Sequence, residues 1–287
     1  MVFVAAADNF PPREGDKILP PQSSPYSKLR DLISELSQAA SAGLPNSKAR
    51  AALLEVEHAS KQLDLLAQEL DPIKRPQNVF DPRDPRIIGL FIGIALVAQE
   101  RRQLKSVVQR FYGSGVYALY YDGDFGAYAP ISGTEHPIYA GKVDPQDPHA
   151  TLPREQGDKL FARLNEHRKS ISLAQNLSIE QFTCRFLVVQ SGLQKAAEDY
   201  LINLFDPVWN AGICYGLGKH GDSATTRTNF RSPWDTLHPG RKWAGPSRQG
   251  KSPSEIRQDI KAHFQARSLY KSIDEILTKF YDQLKQR

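Results

Sequence analysis

Cysteine and long apolar runs are both scarce in this chain of 287 residues. The two cysteines, Cys184 and Cys214, form no CxxC pair, so we do not expect a cysteine-based zinc site. The most apolar stretch covers residues 87–98, which is too short to span a bilayer, and we predict a buried helix there. The first residues lack the basic segment of a secretory signal. We therefore expect a cytoplasmic protein with reduced cysteines and no membrane partner.

The chain also has only a small excess of positive over negative charge. The chain has 37 lysines and arginines against 32 aspartates and glutamates, a formal net charge of +5, which alone is weak support for a polyanionic partner. The segment 227–251 is more basic, because Asp235 is its only acid. Its basic residues are Arg227, Arg231, Arg241, Lys242, Arg248 and Lys251. The segment is either a phosphate-facing surface or a solvated basic loop, and charge alone leaves both interpretations open.

Proline content and apolar spacing divide the first part of the chain in two. Residues 1–24 are proline-rich with little apolar pattern, and we predict a flexible tail. Residues 25–110 are predicted to form a helical extension. It consists of two helices with a break around residues 43–46, followed by the buried helix at 86–110.

From residue 111 onward β-branched and aromatic residues become frequent. The order strand, strand, helix, strand, helix predicts an α+β core within residues 111–245. The predicted elements cover residues 116–121, 137–142, 157–172, 182–189 and 194–205. In residues 246–287 a capping box at Ser252 and Glu255 predicts the start of a helix, and a final helix follows at 273–284.

Six polar residues of this core have the chemistry that phosphodiester hydrolysis requires. Hydrolysis needs an activated water, a divalent ion on hard oxygen ligands, and stabilised charge on the phosphate and the leaving oxygen. Arg163 and His167 are four residues apart on one predicted helix, so a phosphate-binding fork lies beside a proton-transfer group. Glu198, on the next helix, offers an oxygen ligand to a divalent ion. The full set is Tyr117, Tyr139, Arg163, His167, Glu198 and Asn210.

Each of these residues also has a structural explanation. Strand tyrosines usually pack a core, a helical Arg and His four residues apart usually form a solvated face, and a single helical glutamate usually lies at the surface. Asn210 is also suited to a helix end or a turn. No single residue therefore distinguishes a nuclease from a protein with another role, and the weight falls on their order and spacing.

That order resembles the GIY-YIG nuclease family. Gly115-Val116-Tyr117 followed by Tyr139-Ala140-Gly141 is similar to the two halves of the family signature, and the substitutions at its middle positions change no chemistry. Further motifs are similar to the GIY-YIG type II restriction endonucleases that cut the palindrome CCGCGG. They are Cys184-Arg185-Phe186, Trp209-Asn210 and the run from Ser232 to Ala244. The resemblance covers roughly residues 111–245. It implies a small, mostly antiparallel three-stranded sheet flanked by helices.

The resemblance also implies a cofactor and several contacts. It implies one Mg²⁺ per active site, which Mn²⁺ is able to replace, with Glu198 as the metal ligand and no nucleotide cofactor. It implies that Arg163 binds the scissile phosphate and that Asn210 orients the site. Lys142, which directly follows the second half of the signature, is expected to contact a phosphate or a water.

The two tyrosines have different implied roles. By the resemblance, Tyr117 contacts the attacking water as general base or relay, His167 assists it, and Tyr139 donates a hydrogen bond to a phosphate oxygen. A tyrosine with a pKa near 10 is a poor base at neutral pH unless a cation or a histidine lowers that pKa. Which residue takes the proton from the water therefore stays open.

The implied partners are double-stranded DNA and a second copy of the chain. A site made of G·C pairs favours arginine or lysine donors in the major groove, and we expect Arg241 in particular to contact DNA. The alternative is that Trp234 and Trp243 simply pack this loop onto the core. Cutting both strands of a palindrome requires two active sites related by a two-fold axis, so we expect a homodimer, with the N-terminal helices as a dimer surface or a clamp. The candidate DNA-binding residues are Arg227, Arg231, His238, Arg241 and Lys242.

Two other functions stay open at this point. A repair or homing nuclease with the same core usually carries separate DNA-binding modules, and the sequence has no zinc-finger or helix-turn-helix signal. A DNA-binding protein that has lost catalysis is the second, and the complete set of candidate catalytic residues argues against it. A restriction endonuclease implies a prokaryotic cytoplasm and a restriction-modification system, in which a methyltransferase protects the host DNA.

Overall fold

The computed structural model describes residues 25–73, 79–210, 212–217, 231–244 and 250–285. The chain divides into two compact units, residues 1–77 and 78–287. The predicted tail at residues 1–24 lies outside the described residues, and the four-part division stays a prediction. Among the described residues, no helix has the length and apolar character needed to cross a membrane.

The first unit contains the two predicted helices. Helix α1 spans Pro25–Ser41 and helix α2 spans Asn46–Leu70. Gly43 separates them with a φ of +84°, a left-handed conformation that glycine adopts without strain, and Pro45 precedes the first turn of α2. In the described part of this unit, neither helix has a buried residue, and most of the large apolar side chains of both helices are exposed.

The second unit begins with the predicted buried helix, which is shorter than expected. Helix α3 spans Pro85–Val97, and the Asp84 side chain caps it by accepting a hydrogen bond from the Arg86 amide. The prediction that the helix continues to residue 110 is wrong. After the polar residues 99–101 the chain becomes extended, and Arg102–Gln103 forms strand β1, which pairs with residues 183–184.

A four-stranded antiparallel sheet forms the centre of this unit and confirms the predicted α+β class. The strands other than β1 are β2 (Gly115–Tyr121), β3 (Tyr139–Val143) and β4 (Phe182–Val188). The spatial order of the sheet is β1-β4-β2-β3. The two-residue strand β1 is the one that the sequence did not predict. Two predicted helices of the core are observed as α4 (Lys159–Leu173) and α5 (Gln194–Phe205).

The alternating side chains of β2 divide the core into two layers. Tyr117 and Leu119 face a cluster that includes residues of α4, whereas Val116 and Ala118 face a cluster that includes residues of α3 and α5. Three further helices are α6 (Pro233–Leu237), α7 (Pro253–Gln265) and α8 (Ile273–Lys285). Helices α6 and α7 contribute to the first cluster and α8 to the second. The predicted capping box at Ser252 opens α7 as expected.

Candidate active site

Two glycines of the signature allow closer approach than any other residue would. Gly141 pairs with Tyr117 across β2 and β3, and a Cβ at position 141 would lie 2.7 Å from the Tyr117 hydroxyl oxygen. A Cβ at Gly115 would collide with the Leu187 carbonyl oxygen of β4. An added Cβ would therefore force its neighbours to shift at both positions, which explains why glycine suits them.

Tyr117, Tyr139 and His167 form one aromatic cluster between the sheet and α4. The Tyr117 hydroxyl oxygen lies 2.6 Å from His167 Nε2, a hydrogen-bond distance. The ring centroids are 5.9 Å apart for the two tyrosines and 5.1 Å apart for Tyr139 and His167. Tyr117 and His167 are fully buried, while Tyr139 is half-buried. The structure thus brings three predicted site residues together, and Tyr139 is the one that is partly accessible to solvent.

Burial determines the protonation of Tyr117. It raises the pKa of Tyr117 well above 10, and the neighbouring Tyr139 raises it further, against the opposing charge and hydrogen bond of Arg163. Tyr117 is therefore neutral at physiological pH, and its hydroxyl is available as a hydrogen-bond donor. Tyr117 is therefore not present as a tyrosinate before the reaction.

Arg163 lies one turn before His167 on α4 and is half-buried. Its Nη1 donates a hydrogen bond of 2.9 Å to Glu166 Oε2. Burial alone lowers the pKa of Arg163, but its interactions with Tyr117 and its hydrogen bond to Glu166 outweigh burial and raise the pKa. A permanent positive charge is consequently held beside the Tyr117 hydroxyl.

The outer edge of β3 positions two more predicted residues. Strand β3 ends the sheet, so alternate residues turn their backbone groups away from β2. Asn210 satisfies both groups of Ala140: its Oδ1 accepts from the amide at 2.8 Å and its Nδ2 donates to the carbonyl at 2.6 Å. Glu198 Oε1 accepts from the amide of Lys142 at 3.2 Å. Both side chains therefore cap the edge of the strand that carries Tyr139.

Glu198 is half-buried, and burial raises its pKa against the opposing charge of Lys142. A cation beside this carboxylate would offset the cost of burying its charge. Lys142 itself is committed elsewhere, since its Nζ forms an ion pair with Asp144. Among the described residues, no group of three or more His, Cys, Asp or Glu side chains is arranged to hold a metal. A metal at Glu198 would therefore take most of its ligands from water and substrate.

A buried polar network that the sequence did not reveal joins the elements of the site. Gln156 accepts a hydrogen bond of 2.9 Å from the Ser114 amide and donates one of 2.9 Å to the Val189 carbonyl. Gln194, at the start of α5, donates to the Ser114 hydroxyl at 3.1 Å. Ser114, Gln156 and Gln194 are almost completely inaccessible to solvent. They fix the start of β2, the loop before α4 and the start of α5, and single polar residues in loops give no periodic signal that would identify them.

Arg241, the residue most expected to contact DNA, has a packing role in the structure. This side chain is buried, and its Nε donates to Asp235 Oδ1 at 2.7 Å. Its two terminal nitrogens donate to the backbone carbonyls of Gly216 and Leu217 at 2.9 and 3.0 Å. The guanidinium also lies 4.4 Å from the Trp234 ring centroid. Arg241 therefore holds this loop together from inside, and packing is the alternative that the structure favours.

His238, another predicted DNA contact, is enclosed by the protein. It is fully buried, with Nε2 at 2.6 Å from the Tyr128 hydroxyl oxygen and Nδ1 at 2.9 Å from Asn176 Oδ1. Burial, together with the charges of Arg257 and Arg241, lowers the pKa of His238 to about 3. Both ring nitrogens of this neutral, enclosed histidine thus have protein partners, and a contact of His238 with DNA stays a prediction.

The other predicted DNA-binding residues have different positions. Lys242 is exposed. Arg231 is half-buried, and its Nε donates to the Ala244 carbonyl at 3.1 Å. Arg227 lies outside the described residues, so its role stays a prediction.

Comparison with known proteins agrees with this arrangement. The sequence profile of the Eco29kI GIY-YIG domain, a restriction endonuclease domain, matches residues 109–264. The match begins just before β2 and extends into α7, and it includes all seven candidate catalytic residues. No curated protein matches the chain significantly. Because the profile covers more than half of the 287 residues, the chain belongs to the Eco29kI family of GIY-YIG restriction endonucleases.

Proposed function

We propose that the protein is a type II restriction endonuclease that hydrolyses both strands of a G·C-rich palindrome, CCGCGG, with one Mg²⁺ in each active site. The observation that carries the proposal is the hydrogen-bond contact of Tyr117 with His167, in the same cluster as the half-buried Tyr139. Arg163 adds positive charge at the same point, and the family of this domain is one of nucleases acting on DNA. A water, a phosphate and a proton acceptor can meet in such a site.

In this proposal Tyr117 acts as a relay and His167 as the proton acceptor. Because the pKa of Tyr117 is raised, this tyrosine is not ionised before the reaction and cannot act as a preformed base. It would instead pass its proton to His167 Nε2 while it takes the proton of the attacking water. Arg163 would bind the scissile phosphate through its guanidinium, exchanging its bond with Glu166 for the phosphate oxygens. Tyr139, half-exposed at the same cluster, would donate a hydrogen bond to that phosphate.

Glu198 is the proposed ligand of the metal ion. Its carboxylate is held by the Lys142 amide at the β3 edge, and a half-buried carboxylate with a raised pKa gains from a nearby cation. Mg²⁺ typically uses one or two carboxylates and completes its shell with water and phosphate oxygens, which fits a single glutamate. The ion would supply charge stabilisation at the phosphate and the leaving oxygen. Asn210 would act through the backbone of Ala140 by fixing the strand that presents Tyr139.

A cleavage assay in the presence of Mg²⁺, comparing a duplex that contains CCGCGG with one that lacks it, tests this proposal. We expect the wild type to cut both strands of the first duplex only, and Glu198→Gln to reduce the cleavage rate by at least about 100-fold. Asp199→Asn is the matched control, because Asp199 is the adjacent carboxylate of the same helix and pairs with Lys195 at the surface. Cleavage without a divalent ion, or equal loss in the two variants, would refute the role of Glu198. Cleavage of an unrelated sequence would refute the proposed site.

A further inference from the structure

A series of buried hydrogen bonds connects the loop at residues 231–244 with Asn210 of the candidate site. It starts at His238, which directly follows α6, and continues through Tyr128 to Trp209, the residue before Asn210. Tyr128 lies on a short 3-10 helix that follows β2. The residues Tyr128, Trp209 and His238 are at most 1% exposed, so water does not compete for these hydrogen bonds.

The chemistry of the side chains determines the direction of these hydrogen bonds. The indole of Trp209 can only donate, and its Nε1 donates to the Tyr128 hydroxyl oxygen at 2.9 Å. The Tyr128 hydroxyl gives its own proton to His238 Nε2, 2.6 Å away, since the sulfur of Cys214 at 3.6 Å is a weaker acceptor. The proton of the neutral His238 ring is then on Nδ1, which donates to Asn176 Oδ1 at 2.9 Å. One set of proton positions thus satisfies all three hydrogen bonds.

Trp209 connects this series to strand β3. Its backbone amide donates to the Ile138 carbonyl at 3.1 Å, next to the first residue of β3. The following residue, Asn210, holds both backbone groups of Ala140 through its side chain. These contacts lie on both sides of Tyr139, the first residue of the strand. A displacement of Trp209 would therefore be transmitted to Tyr139 through its neighbours.

We propose that Tyr128 is a positioning residue for the cleavage reaction, because its hydroxyl fixes the Trp209 ring and thereby the contacts of Asn210 with β3. A hydrogen bond has a preferred direction, so it restrains the rotation of the indole ring more narrowly than van der Waals packing does. Tyr128 acts through Trp209 and not on the substrate. The same hydrogen bonds join the site to the loop that carries Arg231 and Lys242, two of the predicted DNA-binding residues. The inference rests on the proposed function, since it adds a residue to the same site.

Single-turnover cleavage of a CCGCGG duplex by two variants of the full-length protein tests the proposal. Tyr128→Phe removes the hydroxyl from the series and keeps the ring. We expect its maximal cleavage rate to fall about tenfold, while the protein concentration that gives half of the maximal rate stays unchanged. Tyr121→Phe is the matched control and should cut at the wild-type rate. Tyr121 is equally buried in the same hydrophobic cluster, but its hydroxyl accepts from the Phe125 amide at 2.8 Å.

Hydrogen exchange of individual backbone amides, followed by NMR, separates positioning from a general loss of stability. The Ala140 amide is held by Asn210, whereas the Lys142 amide on the same strand edge is held by a carboxylate of α5. Tyr128→Phe should speed exchange at Ala140 by about tenfold and leave Lys142 unchanged, and Tyr121→Phe should change neither. Faster exchange at both amides, or an equal loss of cleavage rate in the two variants, would show that the hydroxyl only stabilises the core and would overturn the proposal.

Failure of this inference and failure of the proposed function have different signatures. A wild type that cleaves no CCGCGG duplex would refute the proposed function, and exchange at Ala140 in Tyr128→Phe would still decide whether the hydroxyl positions the strand. Wild-type cleavage of CCGCGG, together with an unchanged rate or unchanged Ala140 exchange in Tyr128→Phe, would support the function and refute the positioning role.

Discussion

Replacing Gly141 by alanine is the smallest change that reaches the Tyr117 hydroxyl. The new Cβ would lie 2.7 Å from that oxygen, whereas ordinary contacts begin at 3.4 Å, so Tyr117 has to move by about 0.7 Å. Gly141 does not have a positive φ, and alanine therefore adds no backbone strain at this position. The effect of the substitution acts mainly through the side chain of Tyr117, and also through Tyr139, whose Cε1 would lie 3.1 Å from the new Cβ.

This displacement should reduce both stability and activity. Moving Tyr117 stretches its 2.6 Å contact with His167, and a buried hydrogen bond contributes about 0.5–1.5 kcal/mol. Overpacking a well-filled core costs about 1–3 kcal/mol more. A misplacement approaching 1 Å in a catalytic site can lower the rate by about 100-fold. We expect Gly141→Ala to lower the free energy of unfolding by about 2–4 kcal/mol and the cleavage rate by roughly 10- to 100-fold.

Single-turnover cleavage of a CCGCGG duplex, measured below the unfolding transition, separates the two effects. Gly126→Ala is the matched control, since no atom lies within 4 Å of the position of its added Cβ. We expect this control to cut at the wild-type rate. If Gly141→Ala also cuts at the wild-type rate while it remains folded, the contact between Tyr117 and His167 has no part in the reaction.

Three further predictions concern residues around the site. Because burial lowers the pKa of His238 from 6.5 to about 3, the unfolded chain takes up a proton that the folded chain excludes. The contribution of neutral His238 to the free energy of unfolding should therefore be fully present above pH 6.5 and should decrease below it, by up to about 1.4 kcal/mol per pH unit. In urea denaturation, the free energy of unfolding of His238→Gln should decrease less over the same pH range. Arg241→Met should destabilise the fold by about 3–5 kcal/mol by leaving Asp235 buried and unpaired, whereas Lys242→Ala should leave the melting temperature unchanged and reduce the salt dependence of DNA binding. Gln156→Met should lower kcat more than it changes KM, because it removes two buried hydrogen bonds that fix the start of β2, and equal kcat with normal stability would contradict its role as a positioning residue.

The sequence predicted the elements that have a strong periodic or chemical signal. Helix α5 begins and ends at residues 194 and 205 as expected, and the capping box at Ser252 opens α7. The prediction failed where local pattern and tertiary pairing disagree. Residues 102–103 form a strand only because β4 offers a free edge, and two residues are too few to show an alternating pattern.

The candidate site could also be predicted only in part, because local patterns are visible in the sequence and tertiary contacts are not. A signature of glycine and tyrosine at fixed spacing reports steric contacts, such as that between Gly141 and Tyr117, and so can be identified along the chain. The location of a basic residue is not encoded in this way. Arg241 belongs to a basic segment, but its partners are the carboxylate of Asp235 and two backbone carbonyls, and only the folded chain brings them together. Composition alone therefore does not show that the basic side chain of Arg241 is buried.

The position of the candidate site at a sheet edge gives two of its residues a structural role as well. Strand β3 is the last strand of the sheet, and an unprotected edge would leave its backbone groups free to pair with another chain. Glu198 and Asn210 bind these groups while their own carboxylate and amide lie beside the strand of Tyr139. A substitution at either residue therefore removes a candidate site group and uncovers part of the strand that presents the tyrosine. It follows that Asn210→Asp, which keeps the acceptor for the Ala140 amide but loses the donor to its carbonyl, should impair the site through the strand even though Asn210 does not itself react.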